Sequence, residues 1–334
     1  MLMMSVLLAV LAAEPVDKTE PKVLFRPEMF ETLINPACSH CVDESRRKAG
    51  ALRDDDRVLC WIRGKYDGGA IPYRWFLVPY RVISDSYGVF VYDADADFVR
   101  GWPASYDYRF QGWRNGVMVM RHKDGTLFDC LTGLAFEGPR AGERLTPIPT
   151  IESDWGPWLK ANPGTVAYQM IAKFQPQSAP EFLLPESKRT RPKPDPRLDA
   201  EERVFGLAID KGSWSWPLKS FGAQSDARDV ILGGKKAVLL WEARTRTLAA
   251  YEPETDAEGD KASEPATLTL DSNDPVAPWI DKQTGSHWSI AGRAVSGTRK
   301  GQTLRWLPGV MVKWYAWAAE YPETSVEAIA AKAK

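Results

Sequence analysis

Short apolar runs bounded by Gly, Asp or Pro recur along this chain: VLCWIR (58–63), VFVYDA (89–94), GVMVMRH (116–122), RVFGLAI (203–209), AVLLWEA (237–243), RTLAAY (246–251) and ATLTLD (266–271). They are brief and rich in β-branched and aromatic residues, and several alternate apolar with polar, which predicts strands. Asp124-Gly125 between MVMRHK and TLFD predicts a hairpin, and Thr284-Gly285-Ser286 a matching turn. Helical patterning is confined to a few stretches. Ser153-Asp154 opens a short helix before WGPWLKA, VKWYAWAAE makes another, and Pro163 and Pro322 stop them. RPEMFETLI (26–34) and CVDESRRKAGAL (41–52) also read as helical. The predicted fold class is mostly β (α+β): two tandem β-rich modules, each closed by a short helix, behind a short helical N-terminal segment.

The modules are visible as a repeat. Residues 131–165 and 290–324 match without a gap at an offset of 159 (292 − 133 and 324 − 165). The pairs are Gly133/Gly292, Ala135/Ala294, Gly138/Gly297, Arg140/Arg299, Gly142/Gly301, Leu145/Leu304, Pro149/Pro308, Trp155/Trp314, Trp158/Trp317, Pro163/Pro322 and Thr165/Thr324. Self-similarity held in register over so many Gly, Trp and Pro positions marks a duplication. It divides the chain into a targeting segment (1–13), a helical CxxC segment (22–55), a first module (56–172), a Pro-rich linker (173–200) and a second module (201–326). Within the linker, KRTRPK (188–193) reads as a solvated basic run among prolines. EPETDAEGDKASEP (252–265) reads as an exposed loop.

Composition adds limits. The chain has 334 residues, 44% hydrophobic and 26% charged, with a net charge of −1. Charges of both signs are spread along it, so nothing points to nucleic acid or an anionic membrane. Ser5 to Ala13 is almost wholly apolar, with small residues placed for a cut after Ala12, so export to the periplasm or medium is expected. That run is too short to span a bilayer, and no other segment has the length and apolarity of a membrane span.

Four features carry candidate chemistry. Trp155 and Trp158, like Trp314 and Trp317, lie three apart on short helices and share a face, which reads as a buried stripe rather than a sugar-stacking surface. The glycines at 133, 138 and 142, and at 292, 297 and 301, fit tight turns; they form neither a GxGxxG nor a Walker sequence. DKQTGSHWS (281–289) brings Asp281, Ser286 and His287 together in sequence, but a local string rarely places nucleophile, base and orienter correctly. A turn carrying a histidine is the preferred reading.

The string D-x-x-T-G-S-x-W-S-x-x-G-x-A-x-x-G from Asp281 to Gly297, including Trp288, precedes L-x-x-L-P and W-x-x-W. It resembles the bacterial family called domain of unknown function 3179. Trp216-Pro217-Leu218 resembles that family's Tyr-Pro-Leu, and the first module resembles a more diverged copy. The resemblance implies fold and no settled reaction. It also implies a His before a Val-Asn-Asp turn and Cys-Pro-x-Cys-Gly on the next strand, soft ligands suited to copper or a redox pair. This chain has Ala227-Arg228-Asp229-Val230 then Leu240-Trp241-Glu242, and Val82-Ile83-Ser84-Asp85 then Val91-Tyr92-Asp93, so that set is missing in both halves.

The fourth feature is Cys38-Ser39-His40-Cys41. A c-type haem needs His where Val42 stands, and zinc wants about four ligands where CxxC gives two, unless Cys60 and Cys130 complete a thiolate set. A redox couple at a helix start is the serious rival. In an exported chain the four cysteines fit two disulfides, either Cys38–Cys41 with Cys60–Cys130 or cross-pairs. The expected function is a non-catalytic binding or scaffold protein of the cell envelope, without cofactor, holding an unidentified envelope partner or small ligand in a groove between the modules. The alternative is thiol-disulfide exchange or copper or zinc handling through Cys38, His40 and Cys41.

Overall fold

A computed structural model describes residues 21–36, 52–63, 67–76, 80–168, 188–210, 212–256, 264–271, 274 and 276–327. Two strands precede the first unit, β1 (Val23–Phe25) and β2 (Glu31–Ile34). The unit then runs β3 (Arg57–Arg63), β4 (Asp67–Pro72), β5 (Tyr80–Ser84), β6 (Val89–Asp93), β7 (Phe98–Trp102), β8 (Tyr108–Arg114), β9 (Val117–His122), β10 (Leu127–Asp129), β11 (Ala135–Glu137), β12 (Ile151–Asp154), helix α1 (Trp155–Ala161) and β13 (Val166–Ala167). The second unit runs β14 (Arg203–Ile209), β15 (Gly212–Pro217), β16 (Asp226–Leu232), β17 (Lys235–Glu242), β18 (Thr247–Asp256), β19 (Leu268–Leu270), β20 (Trp279–Asp281), β21 (His287–Trp288), β22 (Thr303–Leu307), β23 (Val310–Lys313), helix α2 (Trp314–Glu320) and β24 (Ser325–Val326). The fold is mostly β, and among the described residues two short α-helices stand out, each following a β-rich region.

The halves share most of their strand plan, although β11 has no strand at the matching place in the second half and β22 has none in the first. One four-stranded sheet has the order β12–β3–β4–β13 and another β23–β14–β15–β24, each with its last pair parallel and the others antiparallel. β12, α1 and β13 reappear as β23, α2 and β24 at the sequence offset of 159 (310 − 151 and 325 − 166). Beside these sheets lie the meanders β5–β6–β7 and β16–β17–β18. β6 is buried at every residue, because cores press on both its faces, which explains a continuous apolar run in place of alternation.

Those cores are shared between the units. In one cluster Phe98, Trp102, Phe110 and Trp113 of the first unit pack with Val204, Val312, Trp314 and Trp317 of the second. In its counterpart Val58, Trp155 and Trp158 pack with Leu240, Tyr251, Trp279 and Trp288. Each tryptophan helix therefore sits on the opposite unit's meander. Two further clusters, one around Trp61, Phe90 and Tyr92 and one around Phe205, Trp216 and Trp241, stay within a unit. Backbone and side chain cross the seam: the Lys313 N–H donates to Ala96 O at 2.8 Å, and the Thr247 hydroxyl to Glu152 O at 2.7 Å. Two turns of helix are too short to persist alone in water, so α1 and α2 owe their form to this packing.

Three expectations from the sequence change. RPEMFETLI is not a helix: Glu31–Ile34 lies as strand β2, parallel to β5, because the open edge of that meander offers backbone partners that outweigh helical spacing. The Pro-rich segment from Lys188 is not a solvated tether. Arg191 lies 4.1 Å from the Tyr315 ring centre, Thr190 is buried, and Arg197 donates to Thr324 O and Pro322 O while stacking on Trp314. Cys60 and Cys130 are free thiols in different core clusters, so they form no disulfide with each other and cannot complete one thiolate site. CVDESRRKAGAL (41–52) lies almost wholly outside the described residues.

A candidate binding slot between the units

The seam leaves an apolar slot of about 230 Å³. Trp61 of β3, Ile151 of β12 and Trp158 of α1 form one wall; Tyr251 of β18 and Leu304 and Trp306 of β22 form the other. Local sequence fixes each wall. The Trp61 ring stacks on Phe90 at 4.3 Å between centroids. The Trp158 indole N–H donates to Thr165 Oγ1 at 2.9 Å, as Trp317 does to Thr324 at 3.0 Å, which explains why the repeat keeps both Thr. The Tyr251 hydroxyl donates to Ile290 O at 2.7 Å, and its ring rests on Gly292. A Cβ at Gly292 would lie 2.4 Å from that ring, and its φ of +68° already favours glycine. Gly133 plays the same part under Trp102, at φ +71°. The polar atoms of Trp158 and Tyr251 are thus engaged in holding the walls, and the slot presents mainly hydrocarbon and ring faces.

The other predicted residues are structural. Trp155, Trp158, Trp314, Trp317 and Trp288 are buried. Gly138, Gly142, Gly297 and Gly301 all sit at positive φ in turns. Asp281 is fully buried and caps its own turn, accepting the Thr284 hydroxyl at 2.7 Å and the Gln283 N–H at 3.2 Å. Because Thr284 gives its one hydroxyl proton to Asp281, the Ser286 hydroxyl, 2.9 Å away, donates to Thr284 Oγ1 and accepts from the Arg299 N–H. His287, next along β21, turns to the other face toward Ala277 O, Asp271 and Asp274. Asp281, Ser286 and His287 therefore do not converge. Where the resemblance implies soft ligands, Ala227 lies opposite Leu240 and Asp226 opposite Trp241. Cys38, His40 and Cys41 lie outside the described residues, among which no three of His, Cys, Asp or Glu gather in a metal-holding group. Burial pushes both the Cys60 and Cys130 thiols well up, so they stay neutral.

One seam feature escaped the sequence reading. Glu320, the last residue of α2, is mostly covered, lies near Asp129 of β10, and among the described residues has one ion pair, to Arg114 at 3.8 Å. Asp129 Oδ1 accepts the N–H groups of Leu131 and Thr132, while Oδ2 is buried without a hydrogen bond. Burial, then the Asp129 charge, pushes the Glu320 carboxyl up to about 8 against the pull of Arg114 and Arg144. A signal existed: α1 ends Leu-Lys-Ala where α2 ends Ala-Ala-Glu, an acid placed at the negative end of a helix dipole.

This arrangement defines a class: a β-rich protein of two intertwined units with an aromatic slot on their seam. The chain belongs to the family described as Protein of unknown function (DUF3179), which matches residues 113–324 in one stretch running across both units. No curated protein and no solved structure matches.

Proposed function

We propose that this is an exported, non-catalytic binding or scaffold protein of the cell envelope, whose slot receives a small apolar ligand or an apolar side chain of a partner. The observation that carries the reading is the slot itself, built jointly by both units from fixed aromatic walls. Support for a non-catalytic role comes from the divergence of Asp281, Ser286 and His287. Export is supported by the apolar run Ser5 to Ala13, and no helix among the described residues is long and apolar enough to cross a membrane. The test is titration of the purified protein with an apolar fluorophore such as anilinonaphthalene sulfonate, beside an Ala291→Trp variant that plugs the slot. Saturable one-to-one binding lost in the plugged variant supports the reading. Equal binding by both proteins, or none by either, removes it.

A second reading rests on the spacing Cys38-Ser39-His40-Cys41, which suits a redox couple or part of a copper or zinc site. Thiol mapping and metal analysis on one periplasmic preparation decide it. A metal-free disulfide that resists glutathione eliminates this reading. A readily exchanged pair, or stoichiometric copper or zinc, places it ahead of the first.

A further inference from the structure

We infer that the seam slot takes one flat, uncharged aromatic ring, a small phenol-like compound laid against Trp158; this rests on the slot being a binding site, as proposed above. The chain carries a template of that occupant. Tyr321, which ends α2, lays its ring 4.2 Å from the Trp317 ring with 32° between the planes. Trp317 is the counterpart of Trp158, and Asn162 ends α1 where Tyr321 ends α2, again 159 residues apart (321 − 162). The two helix ends share one backbone shape, φ −135° and ψ 72° at Asn162, φ −131° and ψ 68° at Tyr321. Each donates its N–H to its own tryptophan's carbonyl, at 2.8 Å to Trp158 and 2.9 Å to Trp317. The same tryptophan is thus covered by a ring in one unit and lines a slot in the other.

The surroundings of Tyr321 reappear around the slot with the large groups trimmed. Arg144 donates to Thr132 O at 2.9 Å and Arg100 to Pro308 O at 2.9 Å, and both lie close enough to act on the Tyr321 hydroxyl. Thr132, Arg144 and Pro308 correspond to Ala291, Thr303 and Pro149, all three on the slot. Arg100 stands two residues before Trp102, the ring seated on Gly133; Ala249 stands two before Tyr251, the ring seated on Gly292. Short uncharged side chains therefore replace both guanidinium groups, and Asn162 replaces the tyrosine. That trimming opens the space, while Trp158 remains at its wall.

Size and lining agree with a single ring. The slot holds about 230 Å³, and an apolar cavity of roughly 150 Å³ is enough for benzene. Among the described residues no charged side chain lines it, so it offers an uncharged ring stacking and dispersion and an ionised group nothing. In the second unit the ring hangs from residue 321. At the matching place Asn162 is buried, its side-chain N–H donated to Trp158 O at 3.2 Å. A ring lying on Trp158 as Tyr321 lies on Trp317 finds the place of its backbone taken, and so arrives as a free compound.

Competition on the full-length protein tests it. The probes are p-cresol, which is the tyrosine side chain as a free molecule, and 4-methylcyclohexanol, its saturated analogue, each against anilinonaphthalene sulfonate. p-Cresol is expected to displace the fluorophore from one site, and the saturated analogue to need roughly five times the concentration, the worth of ring stacking. Asn162→Tyr, which supplies the ring from within, is expected to weaken p-cresol binding at least roughly tenfold. In the parent protein, NOEs from p-cresol to the Trp158 and Tyr251 rings are expected, a readout that needs no variant. Failure of p-cresol to displace a bound fluorophore, equal displacement by the saturated analogue, NOEs confined to other tryptophans, or a folded Asn162→Tyr protein with undiminished affinity overturns this inference and leaves the slot reading standing. Absence of binding by fluorophore and p-cresol alike removes both. That is the result expected if Tyr66, Phe174 or Phe182 of this chain, which lie outside the described residues, already fills the slot.

Discussion

Replacing Glu320 by Gln tests the energetics of the seam. The carboxyl is mostly covered at the negative end of α2, lies near Asp129, and among the described residues has one long ion pair, to Arg114. Its folded-state pKa is raised from 4.5 to about 8. Between those values the folded chain holds a proton that the unfolded chain has released, so the stability this group contributes is fully present below pH 4.5 and is lost as pH rises to about 8. The full linkage over that window has a ceiling of about 5 kcal/mol, at about 1.4 kcal/mol per unit. Relaxation of Arg114 toward the ionised carboxylate lowers the expected loss to roughly 2–3 kcal/mol. Gln copies the protonated form. Glu320→Gln should therefore match the parent near pH 4.5 and exceed it by roughly 2–3 kcal/mol at pH 8.5, a Tm gain of several degrees. Thermal unfolding across pH 4.5–9 is the assay, read as the difference between the two proteins so that titrations other than those of Glu320 and its neighbour Asp129 cancel. A variant less stable than the parent at pH 8.5 would show that Glu320 is ionised and net favourable with Arg114, and the reasoning fails.

Three further outcomes are expected. Gly292→Ala should cost more than Gly301→Ala, roughly 3 against 1 kcal/mol, because only the first drives a Cβ into the Tyr251 ring while both strain a positive φ; chemical denaturation of the pair decides it. Thr324→Val leaves the buried Trp317 indole N–H without an acceptor and should cost about 1–3 kcal/mol by the same assay. Cys60 and Cys130 should resist alkylation in the native protein and react fully once it is unfolded; a recovered Cys60–Cys130 cross-linked peptide would contradict the two-core arrangement.

Much of the local architecture was legible because its determinants are local. The strands follow from apolar runs between breakers, and the two Trp helices from spacing stopped by Pro163 and Pro322. The turns follow from glycines that positive φ requires. What could not be read is what these pieces face. Trp155 and Trp314 announce buried faces, but nothing in a helix says that its cover comes from the other unit. RPEMFETLI has helical spacing and is recruited as a strand by a distant edge. Arg191 and Arg197 look like a solvated basic run until Tyr315 and Trp314 are brought beneath them. Cys60 invited a chemical reading; it stands where the second unit has Gly206, both on the strand beside the Trp helix, and a small side chain is what that position needs. Trp61 and Trp306 gave no sign of lining a slot, since in sequence they are ordinary strand residues.

Reciprocal covering of the helices bears on how such a chain could have arisen. A lone ancestral unit would have carried an indole-studded helix with no meander of its own to lie on, and the simplest way to hide it was to exchange helices with an identical neighbour. Fusing two such units end to end would turn a concentration-dependent embrace into a permanent one and leave each half free to drift.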